Sequence, residues 1–110
     1  MMDFKNKQCV PCRVGMPPLS NEEEDAFKKE LPSWRLDREA THQLKKRFKF
    51  SDFKEAMSFL NKVADLANSE DHHPDICISY NQVDLTLFTH KIGGLHENDF
   101  ILATKIDAIK

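Results

Sequence analysis

Between Ser51 and Ser69 apolar residues return every three or four positions, at Phe53, Ala56, Met57, Leu60, Val63, Ala64 and Ala67. That period gathers them on one stripe of a helix, and the stripe suits a helix lying on a sheet. Ser51 stands where an N-cap belongs, and Asp52 and Glu55 place negative charge in the first turn. From Ile76 the period drops to two. Ile76, Ile78 and Tyr80 share one side of a strand, and Val83, Leu85 and Leu87 one side of the next, with Asn81-Gln82 as the turn between them.

Upstream, Ser20-Asn21-Glu22-Glu23 reads as a capping box opening a short helix that carries Phe27 and Leu31 and stops at Pro32. Trp34-Arg35-Leu36 makes a brief strand. Residues 42–50 make a second, with Leu44, Phe48 and Phe50 facing one way. Beyond Gly93-Gly94 a last helix turns Leu95, Leu102, Ala103, Ile106 and Ile109 inward. The order α-β-β-α-β-β-α predicts an α+β fold of two layers, three helices on one face of a four-stranded antiparallel sheet. Residues 1–19 contain Cys9-Val10-Pro11-Cys12, Gly15 and Pro17-Pro18 but no period, which predicts an irregular arm ahead of a single domain over 20–110.

Composition narrows the class. The chain has 110 residues, 40% of them hydrophobic and 31% charged, as in a globular domain with one core. A net charge of −2 gives no reason to expect nucleic acid or an anionic membrane as partner. No apolar run is long enough to span a bilayer, and no apolar segment marks the N-terminus for export. Three cysteines, an odd number, fit reduced thiols in a cytoplasm.

The candidate chemistry gathers at Asp71-His72-His73-Pro74 and at His90, where elements begin or end. With Asn81-Gln82 as a two-residue turn, the register carried to the open end of the hairpin sets His73 opposite His90. Their Cβ atoms would then lie about 4.5–5.5 Å apart. Asp99 shares the apolar stripe of the last helix with Leu102 and Ile106, so it needs a partner. A histidine near the helix start is the natural one. Imidazoles can remove one proton and deliver another near neutral pH.

Metal binding is the competing use of such a cluster. Adjacent histidines rarely turn to one ion, no H-E-x-x-H occurs, and Cys9 and Cys12 make only half of a structural zinc set. The same cysteines lack the strand-to-helix context of a redox pair and read as surface thiols. Cys77 reads as a small packing residue, Trp34 as core or ligand contact, and His42 and His96 as solitary histidines facing solvent.

The spacing His72-His73-Pro74, Tyr80, His90, Asp99 resembles the signature of the pterin-4a-carbinolamine dehydratases. Leu31-Pro32-Ser33-Trp34, Phe50-Ser51-Asp52-Phe53, Tyr80-Asn81, Thr89-His90 and Gly93-Gly94-Leu95 agree with it. The Cys9-Val10-Pro11-Cys12 lead-in and Pro17-Pro18-Leu19 are similar to the arm of bacterial members. The resemblance implies loss of water from 4a-hydroxytetrahydropterin, the product an aromatic amino acid hydroxylase leaves, to give quinonoid dihydropterin. It implies no cofactor and no metal, and a homodimer or homotetramer.

By resemblance His72, His73 and His90 line the pterin site, with His73 and His90 transferring protons and His72 orienting the substrate. The backbone from Asp71 to Pro74 and across Phe88, Thr89, His90 and Lys91 would bond the pterin ring, Trp34 would close the pocket, and Asp99 would support a histidine. Two departures stand out: the acid that the family commonly has four residues before the first histidine is here Asn68, with Glu70 and Asp71 nearby, and Ile92 stands two residues after His90, where animal members can carry a cysteine. Animal members also act as dimerisation partners of a hepatocyte nuclear factor. A non-catalytic binding module is therefore the alternative reading.

Overall fold

The computed structural model describes residues 4–11 and 15–110. Three helices, α1 (Asn21–Lys28), α2 (Phe53–Glu70) and α3 (Glu97–Ile109), alternate with four strands, β1 (Arg35–Asp37), β2 (Gln43–Lys49), β3 (Asp75–Ser79) and β4 (Gln82–Leu87). The strands form one antiparallel sheet in the order β1-β2-β4-β3, which leaves β1 and β3 as its edges. The α+β architecture is the one the alternating periods predict. Among the described residues no helix is long and apolar enough to cross a membrane.

One face of the sheet supplies the core. Leu44 and Phe48 on β2 stand opposite Leu87 and Val83 on β4, and all four are fully or almost fully buried. Against them α2 buries Ala56, Phe59, Leu60, Val63 and Ala67. Phe59 sets its ring 4.8 Å from that of Phe48 and 5.1 Å from that of Phe50. The buried stripe is thus turned from the expected one: Phe53 is half exposed and Ala64 faces out, while Phe59 takes the centre. The helix is apolar over a wide arc, and periodicity alone does not say which part of it meets the sheet.

Ser20 closes the capping box with Glu23 as the motif requires. Glu24 of α1 is fully buried and accepts hydrogen bonds from Arg38 at 2.9 Å and His42 Nδ1 at 2.8 Å, which ties α1 to the connection between β1 and β2. His42 is therefore a partner of a buried carboxylate and not a solitary surface residue. The N-cap of α2 is Asp52, whose side chain accepts from the Glu55 N–H, while the Ser51 N–H donates to the Glu55 carboxylate. Ser51 lies one residue outside the cap because it takes the reciprocal half of that exchange.

The β3–β4 turn also differs from expectation. Ser79 pairs with Gln82, so the turn residues are Tyr80 and Asn81, with Tyr80 at φ 53°. Phe50 explains the choice: its N–H donates to the Asn81 carbonyl, and the Asn81 side chain donates to the Phe50 carbonyl. These bonds to the end of β2 outweigh the modest cost of a tyrosine at positive φ. Cys77 is exposed on the outer face, not packed.

The arm is bound to the body of the protein. Residues Phe4–Asn6 form a 3-10 turn, and Phe4, 2% exposed, meets Phe27 edge-on with ring centres 5.3 Å apart. Leu19 N–H donates to the Leu95 carbonyl at 2.9 Å. A Cβ at Gly94 would come within 2.9 Å of Pro18 Cβ, so only glycine allows this approach.

Candidate active site

Two chain breaks bring the histidines together. α2 is closed by Asp71, whose N–H still bonds the Ala67 and Asn68 carbonyls and whose left-handed backbone (φ 53°) turns the following chain out of the helix. His72 N–H also returns to Ala67 O at 3.2 Å, and Pro74 then turns the chain into β3. At the end of β4, Thr89 bridges to Gly94, and His90–Ile92 fold into a 3-10 turn closed by Gly93 at φ 66°. The stretches Asp71 to Pro74 and Phe88 to Lys91 thereby line one cleft of about 500 Å³, within the range of small-ligand sites.

Each histidine in this cleft has its own partner. His72 Nε2 lies 2.6 Å from Asp99 Oδ1, and both are sheltered, with side-chain exposures of 11% and 0%. The other Asp99 oxygen accepts from Thr89 Oγ1 at 2.9 Å and from the His96 N–H at 3.0 Å. His96 is thus the N-cap of α3, its own Nδ1 accepting from the Asn98 N–H, and not a free surface histidine. His73 Nε2 bonds Asn68 Oδ1 at 3.0 Å. His90 packs on Phe88 with ring centres 4.0 Å apart, and its Nε2 stands 3.7 Å from Asp75.

This geometry corrects two expectations. The β3–β4 register is shifted by two residues, so carried to position 73 it meets Phe88 and not His90. His90 enters the cleft from a 3-10 turn beyond the ladder. Trp34 does not close the pocket: it is 1% exposed in the core, and its Nε1 donates to Asp107 at 3.1 Å. Asp99 does hold a histidine, but it is His72, because α3 starts beside the end of α2.

Sequence reasoning missed the residues that tie the arm to this site. Glu70 accepts the Cys9 N–H at 2.8 Å and pairs with Lys105 at 2.7 Å. Burial opposes its ionisation, but the Cys9 N–H and the Lys105 ammonium more than offset that and hold the carboxyl below its usual range. Asn98 bonds Val10 through both atoms of its amide. Neither residue belongs to a motif, and nothing local marks either one.

Cys9 lies in the same region, with Sγ 3.6 Å from the Asn98 carbonyl. Burial first, and the Glu70 carboxylate after it, push the thiol up to about 12. Cys12, the other half of the pair, lies outside the described residues. At mildly alkaline pH almost none of Cys9 is thiolate, the form that alkylates. Iodoacetamide should therefore modify exposed Cys77 and leave Cys9 behind by at least about 100-fold, read by mass mapping of the two peptides. Equal rates would mean that the arm does not stay seated.

A three-helix, four-stranded α+β fold with an imidazole cleft at the open end of its last hairpin defines the class. A profile of the family described as pterin 4 alpha carbinolamine dehydratase matches residues 17–109, and the chain belongs to that family. A protein of Rubrobacter xylanophilus, assigned provisionally to the pterin-4-alpha-carbinolamine dehydratases, is 44% identical over 109 residues, covering 99% of this chain and 100% of its own. One from Methylococcus capsulatus with the same assignment is 47% identical over 103 residues, covering 94% and 90%.

Among solved structures, a transcriptional coactivator/pterin dehydratase from Brucella melitensis superposes with a TM-score of 0.78 at 35% identity. The match covers 84% of this chain and 97% of that one. A pterin dehydratase-like protein identified as a RuBisCO assembly factor of the alpha-carboxysome superposes at 0.60 with 28% identity, covering 70% and 88%.

Proposed function

We propose that the chain dehydrates 4a-hydroxytetrahydropterin. The N5 proton leaves to one imidazole, a second, protonated imidazole delivers a proton to the departing 4a-hydroxyl, and water and quinonoid dihydropterin result. The observation that carries the reading is that three imidazoles line one cleft and are differently held. His72 has Nε2 committed to a buried carboxylate, which suits an orienting role. His73 and His90 are more exposed and can exchange protons with solvent, which suits acid and base.

The test is stopped-flow absorbance with synthetic 4a-hydroxytetrahydropterin. Acceleration well above the spontaneous decay supports the reading, and decay at the spontaneous rate overturns it. By the same reading the protein works in the cytoplasm beside an aromatic amino acid hydroxylase, needs no cofactor, and self-associates. The open edge of β3, with Ile76 44% exposed, gives a route to a dimer or tetramer. A binding role without catalysis is the second reading, supported by the solved relatives described as a transcriptional coactivator/pterin dehydratase and as a RuBisCO assembly factor. The same measurement separates the two.

Asn68 makes a further prediction. Its neutral amide oxygen holds His73 where the family's usual residue is an acid. Asn68→Asp puts a negative charge beside that ring and favours imidazolium. The pH–rate profile should shift toward higher pH, the solvent-exposed setting limiting the effect. Rates measured across pH for the two proteins check this; superimposable profiles would remove His73 from the titrating step.

A further inference from the structure

The arm is held at the cleft by bonds that no helix or strand requires. Lys7 Nζ meets Glu97 at 3.2 Å, and the Cys9 N–H meets Glu70 at 2.8 Å. The Val10 N–H donates to Asn98 Oδ1 at 2.9 Å, and Asn98 Nδ2 donates back to the Val10 carbonyl at 2.6 Å. Asn98 is 2% exposed, so a buried amide grips both peptide groups of Val10 as a neighbouring strand would. Phe4, sunk between Phe27 and Phe100, anchors the near end.

So held, Cys9, Val10 and Pro11 form a rim of the histidine cleft on the α2–α3 side, while His90 and Asp75 belong to the sheet side. Val10 is 55% exposed and stays out of the core, although its backbone is fixed. An exposed apolar side chain on a fixed backbone, at the edge of a polar cleft, is what a ligand's apolar part would meet.

We propose that this rim sets substrate specificity: Val10 and Pro11 pack against the saturated carbons and 6-substituent of the pterin, which adjoin the C4a–N5 edge and lie opposite the pyrimidine edge. The inference rests on the dehydratase reading and deepens it. The C4a–N5 edge must lie within hydrogen-bond reach of the imidazoles. The amino and oxo groups of the pyrimidine edge need polar partners. The saturated carbons and their substituent are what remains. Phe88, which also lines the cleft, is already packed against His90.

Val10→Asp tests this, since an exposed side chain can change without cost to the core. Steady-state constants are measured for 4a-hydroxytetrahydropterins with a 6-alkyl substituent and with none. Binding of an unreactive 6-substituted 7,8-dihydropterin is followed by fluorescence. Expected are a KM about 10-fold higher for the 6-alkyl substrate, a smaller rise for the unsubstituted one, kcat within about twofold, and a matching loss of dihydropterin binding. A KM unchanged for both, or raised equally for both, overturns the specificity rim while leaving the dehydratase reading in place. A wild-type protein that neither binds nor turns over any of these pterins overturns both.

Discussion

Changing His73 to alanine should slow dehydration by about 10²–10⁴-fold while leaving the fold intact, and His90→Ala should do the same. Both side chains are largely outside the core. His73 bonds Asn68 at the helix end, and His90 lies on Phe88 with 65% of its side chain exposed, so neither removal opens a cavity or strands a buried charge. Circular dichroism and the thermal midpoint should be close to wild type, and stopped-flow should show the loss. If one ring removes the N5 proton while the other protonates the leaving hydroxyl in a concerted step, the double variant should be scarcely slower than either single one. His72→Ala should behave differently, since it leaves the fully buried Asp99 without its imidazole and costs stability as well as rate. A His73→Ala protein running at the wild-type rate would strip that residue of its role.

What could be read beforehand followed from how local each determinant is. The existence of α2, the capping box at Ser20 and the alternation along β4 are set by residues near one another, and each stands where the pattern puts it. The β3–β4 register was not legible. Asn-Gln looks like a turn pair in isolation, but the turn is decided by Phe50, thirty-one positions from Asn81, which exchanges two hydrogen bonds with it. The two-residue shift that results removes the direct pairing of His73 with His90, and the 3-10 turn after Thr89 brings His90 to the cleft by another route.

The site was partly legible for the same reason. A carboxylate on the buried stripe of a helix must have a partner, so Asp99 could be singled out, but which histidine it meets depends on how α2 and α3 are placed. The Asn98–Val10 clamp spans 88 positions, and its residue types recur anywhere in a sequence, so no pattern announces it. Trp34 failed in the opposite direction. A lone tryptophan near a family motif suggested a pocket wall, while its indole is spent on the core and on Asp107.

Asp99→Asn should be the most informative single change at the supporting end of the site. The carboxylate serves three donors at once: His72 through Oδ1, and Thr89 Oγ1 and the His96 N–H through Oδ2. An amide of the same shape has one accepting oxygen. Turned toward Thr89 and the His96 N–H, it keeps the cap of α3 and points its NH₂ at His72. That imidazole must then present a lone pair at Nε2 and carry its proton on Nδ1, the reverse of the arrangement in which Nε2–H donates to Asp99. Turned the other way, it sets two N–H donors of the helix start against each other, at a cost of about 1–3 kcal/mol. The first orientation should prevail, with modest loss of stability and a rate about 100-fold lower, because an orienting ring in the wrong tautomer misplaces the substrate. Nitrogen chemical shifts of His72 would report the exchange of tautomers directly, which a merely structural role for Asp99 would not produce. An Asp99→Asn protein with the wild-type tautomer and rate would reduce Asp99 to a helix cap.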